Sequence, residues 1–559
     1  MYSWFKSRIF GTMFKQRSVK KSNFWAMAGI YILLVALYSC KQKDTSQKSV
    51  FYYNESTGIA TLDPAFAKNQ SIMWAVHQLY NTLVEIDSNL NIVSSLAKNW
   101  DISADRKTYT FHLRDSVFFH DNPLFTNGKG RKLIANDVVY SLKRLQDKTV
   151  ASSGAWIFNN RIAAEGFSVL NDSTFQLVLI NPFQPILGIL SMQYCSIVPH
   201  EIVNYYGKDF RNHPCGTGAF KFISWDEGEA MILHKNEQYW EKDANEKRLP
   251  YLDAIKISFY NSKATEFLQF RQGRLSFIND IDPSFKDEIL SKKGVLRSEW
   301  NNKILLKKHP YLNTEYFGIL VDETNPLVKN SPTKIKAVRQ AINYAINRKQ
   351  LMMYMRNSIG TPAEAGFVPG GLPSKNMENV KGYHYNPAKS RQLLLQAGYS
   401  PDKYGPIKLL TIAIYSDIAS FVAKQLEEVG IKVQVEVIQK SLLLEQTAKS
   451  QALFFRGSWI ADYPDAENYM AMFYSKNPAP PNYTRYKNPA FDLLYEKALQ
   501  ETNDSLRFDL YRKMDQLVID DAPVIPIWYD MAIHLIQPNI TGFAPNALNL
   551  LELRNCVIK

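Results

Sequence analysis

From residue 50 onward the hydrophobic and polar positions alternate between two periods. "KTYTFHLRDSVFF" places Tyr109, Phe111 and Leu113 against Thr110, His112 and Arg114, the two-residue period of a half-buried strand. "SIMWAVHQLYNTLVEID" spaces Ile72, Ala75, Val76, Leu79 and Leu83 as one face of a helix, and that pattern predicts an amphipathic helix running through Leu83. "ANDVVYSLKRLQD" predicts a second helix, with Asn136 or Asp137 as its N-cap. "GTGAFKFISWDEGEAMILHKN" predicts two strands joined by a turn at Asp226–Gly228, and "DAIKISFY" a further strand. "SKATEFLQFRQGRL" predicts a helix ended by Gly273. The run "KIKAVRQAINYAINRKQLMMYM" predicts one long periodic helix, and "PAKSRQLLLQAGY" another with Gly398 at its C-terminus.

"IKLLTIAIYS", "IASFVAKQLEEVGI" and "KVQVEVI" read as strand, helix and strand, a βαβ-like unit with Gly430 ending the helix. "AFDLLYEKAL" and "SLRFDLYRKMDQLVIDD" predict further helices, and "APVIPIWY" a late strand. Strands and helices are thus mixed along the chain, with no internal repeat and no low-complexity tract. The 559 residues suffice for two to four domains. At 46% hydrophobic and 21% charged the composition is that of a globular protein.

The N-terminus has a different pattern. Residues 1–39 carry six basic side chains and no acid, so the net charge of +13 falls to about +7 without them. No dense Lys/Arg run follows residue 40, which argues against nucleic-acid binding. The apolar run Phe24–Tyr38 ends at Leu37-Tyr38-Ser39-Cys40. A basic segment, an apolar core, then small residues and Cys resemble a bacterial lipoprotein signal, which implies a signal peptide over 1–39 and lipidation of Cys40. The alternative is an uncleaved N-terminal anchor with an incidental cysteine. In both, the remainder lies outside the cytoplasmic membrane, with residues 40–47 a polar tether. Cys195 and Cys215 form the nearer pair for a disulfide, and three buried reduced thiols with Cys556 are the alternative.

Enzyme signatures are missing. His200-Glu201 is followed four places after the histidine by Asn204, so a zinc-protease motif fails. There is no Cys-x-x-Cys pair, no phosphate-binding glycine loop and no Gly-x-Ser-x-Gly elbow. Neither a cofactor nor a metal is expected.

One stretch concentrates charge and aromatic rings: "FFRGSWIADYPDAENY", Phe454 to Tyr469. With "LDPAF", "LAKNWDISADRKTYTFHLRDSVFFHD", "ANDVVYSLKRL", "CGTGAFKF", "NEQYW", "KAVRQAINYAINR", "PAKSRQLLLQAGY" and "VIDDAPVIPIWY", it follows the order and spacing of the family 5 extracellular solute-binding proteins, the peptide- and nickel-type receptors of ABC importers. The resemblance spans residues 50–535. It implies an α/β fold: a two-lobed periplasmic-binding-protein clamp of type II, cluster C, with an additional third domain. Domain I would comprise 48–83, 200–305 and 530–559, domain II 84–199 and domain III 306–529, the second ligand-binding lobe. The chain would cross between lobes near Lys307–Phe317.

Ser458-Trp459-Ile460-Ala461-Asp462-Tyr463 resembles the Gly-Trp-x-Ala-Asp-Tyr segment of the oligopeptide-binding members, with serine in place of glycine. By this resemblance Asp462 anchors a peptide's ammonium group, Arg456 meets a short peptide's carboxylate, and Trp459 forms a wall of a side-chain pocket beside Tyr463. Tyr311 and Tyr316 match aromatic positions at the crossover, and the loop at Asn69 and Gln70 matches one whose backbone pairs with an extended peptide. The competing reading of Asp462 and Arg456 is a structural ion pair with each other or with core neighbours. The implied function is a monomeric substrate-binding lipoprotein that delivers short peptides to an ABC permease and its ATPase. The alternatives are a nickel-chelate or other solute receptor of the same fold, or a clamp-fold sensor or adhesion lipoprotein.

Overall fold

A computed structural model describes residues 48–374 and 379–559. The expected signal peptide over 1–39, the expected lipidation of Cys40 and the expected tether 40–47 lie outside the described residues. Among the described residues no helix is long and apolar enough to cross a membrane.

Three main sheets organise Ser49–Lys559. The first places Val50–Asn54, Ala254–Ser258, Ala230–Lys235 and Phe220–Asp226 side by side, the first pair parallel and the others antiparallel. Gly228 makes the predicted turn, with a positive φ of 81° that glycine adopts without a steric cost. The second is an antiparallel sheet of Ala97–Ile102, Thr108–Leu113, Thr174–Leu179 and Ile162–Asn171. Its strand Thr108–Leu113 buries Tyr109, Phe111 and Leu113, as its alternation requires.

The third sheet has seven strands. Phe277–Asn279, Val524–Ile536, Leu305–Ile319, Phe454–Ile460, Ile407–Thr411 and Val433–Val437 lie in that spatial order, with Thr361–Pro362 added to Val524–Ile536. The predicted βαβ unit is its parallel end: Ile407–Thr411 and Val433–Val437 run parallel, joined by the helix Ser416–Glu428. Hydrophobic cores flank both faces, and successive residues Tyr316 and Phe317 enter opposite ones, as the two-residue period of a strand dictates. A larger core joins the other two sheets and includes the C-terminal residues Leu551, Leu553 and Cys556.

Three helix expectations are corrected. The first helix is Gln70–Leu79; it stops before Leu83 because the chain turns extended at Tyr80, where Gly218 donates its N–H to the Leu79 carbonyl at 3.0 Å. The helix Ala135–Gln146 has neither Asn136 nor Asp137 at its N-cap. Asp137 is instead the third helical residue; its carboxylate accepts the Ile134 N–H at 3.0 Å and pairs with Arg131. The long periodic run divides into Lys336–Ala345 and Arg348–Arg356. Asn347 caps the second piece, accepting the Gln350 N–H at 3.0 Å. Arg348 is fully buried and donates to the Pro526 carbonyl at 2.6 Å and to the carbonyl and side-chain oxygens of Asn343 at 3.0 and 2.8 Å. A break in the helix thus supplies the carbonyls that a buried guanidinium needs.

Cys195, Cys215 and Cys556 are all free and buried, so the Cys195–Cys215 disulfide does not form in this structure. Burial pushes the Cys215 thiol up to about 12.

The turn at Leu79–Tyr80 depends on close backbone approach. A Cβ on Gly218 would lie 2.4 Å from the Leu79 carbonyl carbon and 2.6 Å from the Tyr80 nitrogen. Gly218→Ala is therefore expected to destabilise the protein by roughly 1–3 kcal/mol, the cost of an overpacked contact against backbone. Denaturant unfolding against the wild type checks this; an unchanged midpoint would contradict the packing described.

Candidate functional site

The stretch Phe454–Tyr469 begins as a strand in the middle of the seven-stranded sheet. It pairs antiparallel with Asn313–Ile319 and parallel with Leu409–Leu410. Its last rung is the Ala461 N–H donated to the Leu312 carbonyl at 2.8 Å, after which the chain leaves the sheet. Asp462 is the first residue beyond that rung.

The partner strand has its own irregularity here. Leu305–Ile319 pairs with Val524–Ile536 along most of its length, but the register slips between Pro310 and Thr314. Proline has no N–H for the ladder, and such a slip re-aims the side chains within it. Leu312 bonds outside the two-strand ladder, donating to the Ala547 carbonyl at 2.9 Å. Tyr311 turns toward a cavity of about 440 Å³.

That cavity is built from two walls. One is formed by Tyr311, Ile460, Ala461 and Asp462 from the seven-stranded sheet and its loops, and by Lys440 at the start of the helix Lys440–Ala448 that follows one of its strands. The other includes the loop and helix at Lys68–Trp74, His77, Glu85, the segment Ser191–Tyr194 and the C-terminal residues Asn546–Leu550. Asn69 caps the helix, accepting the Ile72 N–H at 3.1 Å, and the Gln70 amide oxygen accepts from Asn279 at 3.2 Å. The Trp74 indole donates to the Asn549 carbonyl at 2.8 Å, which fixes the C-terminal segment against this wall. The volume is in the range of small-ligand sites.

Asp462 faces this cavity with no cation at salt-bridge distance among the described residues. Among the described residues its only side-chain partner is the amide of Asn468, which donates to it at a long 3.4 Å. Asn468 in turn accepts the Trp459 indole N–H at 2.9 Å, and so holds the turn. Asp462 is exposed to the cavity, yet the protein groups crowding its carboxyl strip part of its hydration and push it up to about 6, with the Asn468 amide acting in the opposite sense.

Arg456 is arranged in the opposite way. Its guanidinium meets Glu315 on the neighbouring strand, with Nε at 3.0 Å and Nη2 at 2.5 and 2.6 Å from the two carboxylate oxygens. The Tyr415 ring lies 3.9 Å from the guanidinium. Both partners are largely withdrawn from solvent, with side-chain exposures of 13% and 4%. Arg456 is thus a structural ion pair, though with Glu315 and not with Asp462.

Of the residues singled out from sequence, Asn69, Gln70, Tyr311 and Asp462 line the cavity. Arg456, Trp459, Tyr316 and Tyr463 do not. Trp459 and Tyr316 pack in the core on one face of the sheet. Tyr463 is buried in the core of the opposite wall, against Gly188, and its hydroxyl bonds to Glu467. Asp465, without a role in the sequence reading, pairs with buried Arg507 at 2.5 Å.

Several lining residues escaped the sequence reading. His77 bonds to Glu552 at 3.0 Å, Glu85 to Arg554, and Lys440 carries no ion pair among the described residues. They come from separate segments and share no motif. Among the described residues no group of three or more His, Cys, Asp or Glu side chains is placed to hold a metal ion.

The sequence pattern of the bacterial extracellular solute-binding proteins, family 5, matches residues 91–481. The glutathione-binding protein GsiB of Pectobacterium atrosepticum is 27% identical over 511 residues, covering 86% of this chain and 89% of that one. The dipeptide-binding protein DppE of Bacillus subtilis is 22% identical over 573 residues, covering 96% and 99%. Among solved structures, the periplasmic binding protein DppA of Helicobacter pylori, in complex with the peptide STSA, superposes with a TM-score of 0.74 at 25% identity, covering 92% and 99%.

A buried pair is costly to break on one side only, because the survivor stays charged in a dry site. Arg456→Ala is expected to destabilise the protein by about 3–5 kcal/mol, whereas Glu315→Leu combined with Arg456→Met restores most of the loss. Unfolding midpoints of the two variants check this; equal losses would contradict it.

Proposed function

We propose that this chain, which belongs to family 5 of the bacterial extracellular solute-binding proteins, captures short peptides in the cavity at Asp462 and hands them to the permease of an ABC importer. The observation that carries the reading is the unpaired carboxylate. A carboxylate held among protein groups without a cation is incomplete, and a peptide's α-ammonium group brings one charge and three donors to it. The names of the relatives, which describe glutathione, dipeptide and tetrapeptide ligands, support the same ligand class.

The protein is a solute-binding protein of two-lobed clamp architecture. On our reading the lobes close on the peptide about the segment Lys307–Phe317, within the strand that crosses between the cavity's walls. The domain division 48–83, 200–305 and 530–559, then 84–199, then 306–529, frames this reading. The separate sheets of Val50–Ser258 and of Ala97–Leu179 support it, and the seven-stranded sheet joins the first and third parts through Phe277–Asn279 and Val524–Ile536. Cys40 is the proposed lipid attachment point, tethering the receptor to a membrane of the cell envelope on its periplasmic or extracytoplasmic side. Asn69 and Gln70 stand where an extended ligand's backbone would run, and Tyr311 borders its side chains.

Asp462→Ala is expected to weaken binding of tri-alanine by at least about tenfold, the value of a charge-assisted hydrogen bond. Titration calorimetry on the purified protein checks this, with N-acetylated tri-alanine as the control. Undiminished binding by the variant, or preference for the acetylated peptide, would overturn the assignment. The pH dependence has a definite sign. The ammonium group binds the ionised carboxylate, and Asp462 takes up a proton as the pH falls through about 6. Affinity should therefore be constant above pH 7 and decline toward roughly tenfold per unit below about pH 5. Asp462→Asn should abolish that decline.

A further inference from the structure

We infer that Lys440 is the cation that receives the ligand's carboxylate, and that the cavity therefore selects short peptides with a free C-terminus; this rests on the peptide reading above. Arg456 is not available for the role. Its Nε and Nη2 are taken by the two oxygens of Glu315, and it is not among the residues lining the cavity.

The topology explains why Lys440 replaces it. Ile407–Thr411 runs parallel to both Val433–Val437 and Phe454–Ile460. All three strands therefore end at the same edge of the sheet. In open α/β sheets the segments beyond the carboxyl ends of parallel strands form the ligand crevice. Asp462 lies two residues beyond one strand, and Lys440 lies three residues beyond another. Both line the same wall of the same cavity. Lys440 is exposed and has no ion pair among the described residues. The second cation of the cavity, Lys68, stands on the opposite wall.

The spacing sets a ligand length. Phe454–Ile460 and Val433–Val437 are separated by one strand, Ile407–Thr411. At about 4.8 Å per step, the two strand ends are about 10 Å apart across the sheet. An extended chain covers that distance in roughly three residues. Asp462 also stands further along the strand direction, because Phe454–Ile460 continues five residues past Phe455, the partner of Leu410. The pair of charges therefore suits a ligand of about three or four residues with its ammonium group at Asp462 and its carboxylate at Lys440, the flexible lysine stem absorbing the difference.

The test compares tri- and tetra-alanine with their C-terminal amides by titration calorimetry, on wild-type protein, Lys440→Met, Lys440→Gln and Lys68→Met. The expected result is a preference for the free acids of roughly tenfold in the wild type. That preference should fall to near one in both Lys440 variants and persist in Lys68→Met. Melting temperatures of the Lys440 variants should match the wild type, because the side chain is exposed. A wild type indifferent to amidation overturns the inference, as does a preference that survives Lys440→Met or is lost in Lys68→Met. These outcomes are separable from failure of the peptide reading, in which neither acids nor amides bind or N-acetylation is without effect.

Discussion

Two long strands, Leu305–Ile319 and Val524–Ile536, hold the architecture together, because their ladder belongs both to the seven-stranded sheet and to its junction with the opposite wall of the cavity. At one end of the pair Phe277–Asn279 adds to Val524–Ile536 through Ile536, Leu535 and His534. At the other, Gly318 and Phe317 pair with Val524 and Ile525 in the centre of the sheet. Much else follows from that ladder. The break between Lys336–Ala345 and Arg348–Arg356 lets Arg348 reach the Pro526 carbonyl on one of these strands. The slip at Pro310–Thr314 frees Leu312 to bond to Ala461 and Ala547, which brings the Asp462 turn and the C-terminal segment to one place.

Within this frame the strand Phe454–Ile460 carries two charges with opposite treatment. Arg456 lies mid-strand, where its neighbour across the ladder supplies Glu315 on the same face, and the pair is complete in itself. Asp462 lies past the last rung, where no neighbouring strand can offer a partner. The same sheet that satisfies one charge leaves the other open to the cavity. A completed ion pair among packed residues has its desolvation offset by its own partner, whereas an incomplete one is a standing preference for a cation from outside.

Lys440 shows the same logic at a distance in sequence. It is 22 residues from Asp462, at the first turn of the helix Lys440–Ala448 and without a distinguishing motif, and becomes relevant because three strands run parallel and end at a common edge. The lining residues His77 and Glu85 differ from it in being tied to Glu552 and Arg554, so they shape the opposite wall without offering a free charge.

The sequence by itself determined the alternation of strands and helices, the turns at Gly228, Gly398 and Gly430, the βαβ unit, and, through ordered resemblance along residues 50–535, the clamp architecture and Asp462 as a candidate. These are local or repeated signals: periodicity, positive-φ glycines and a motif in register. Only the tertiary structure decided where the first helix stops, since Gly218 meets Leu79 from far along the chain, and that the long helical run breaks for Arg348. It alone decided that Arg456 belongs to Glu315, that Trp459 and Tyr463 pack inward, and that Lys440 and residues of the C-terminal segment line one cavity with Asp462. The physical reason is the same in each case. A charged or aromatic side chain is committed by whatever neighbour the sheet order places beside it, and sheet order is not written in the spacing along the chain.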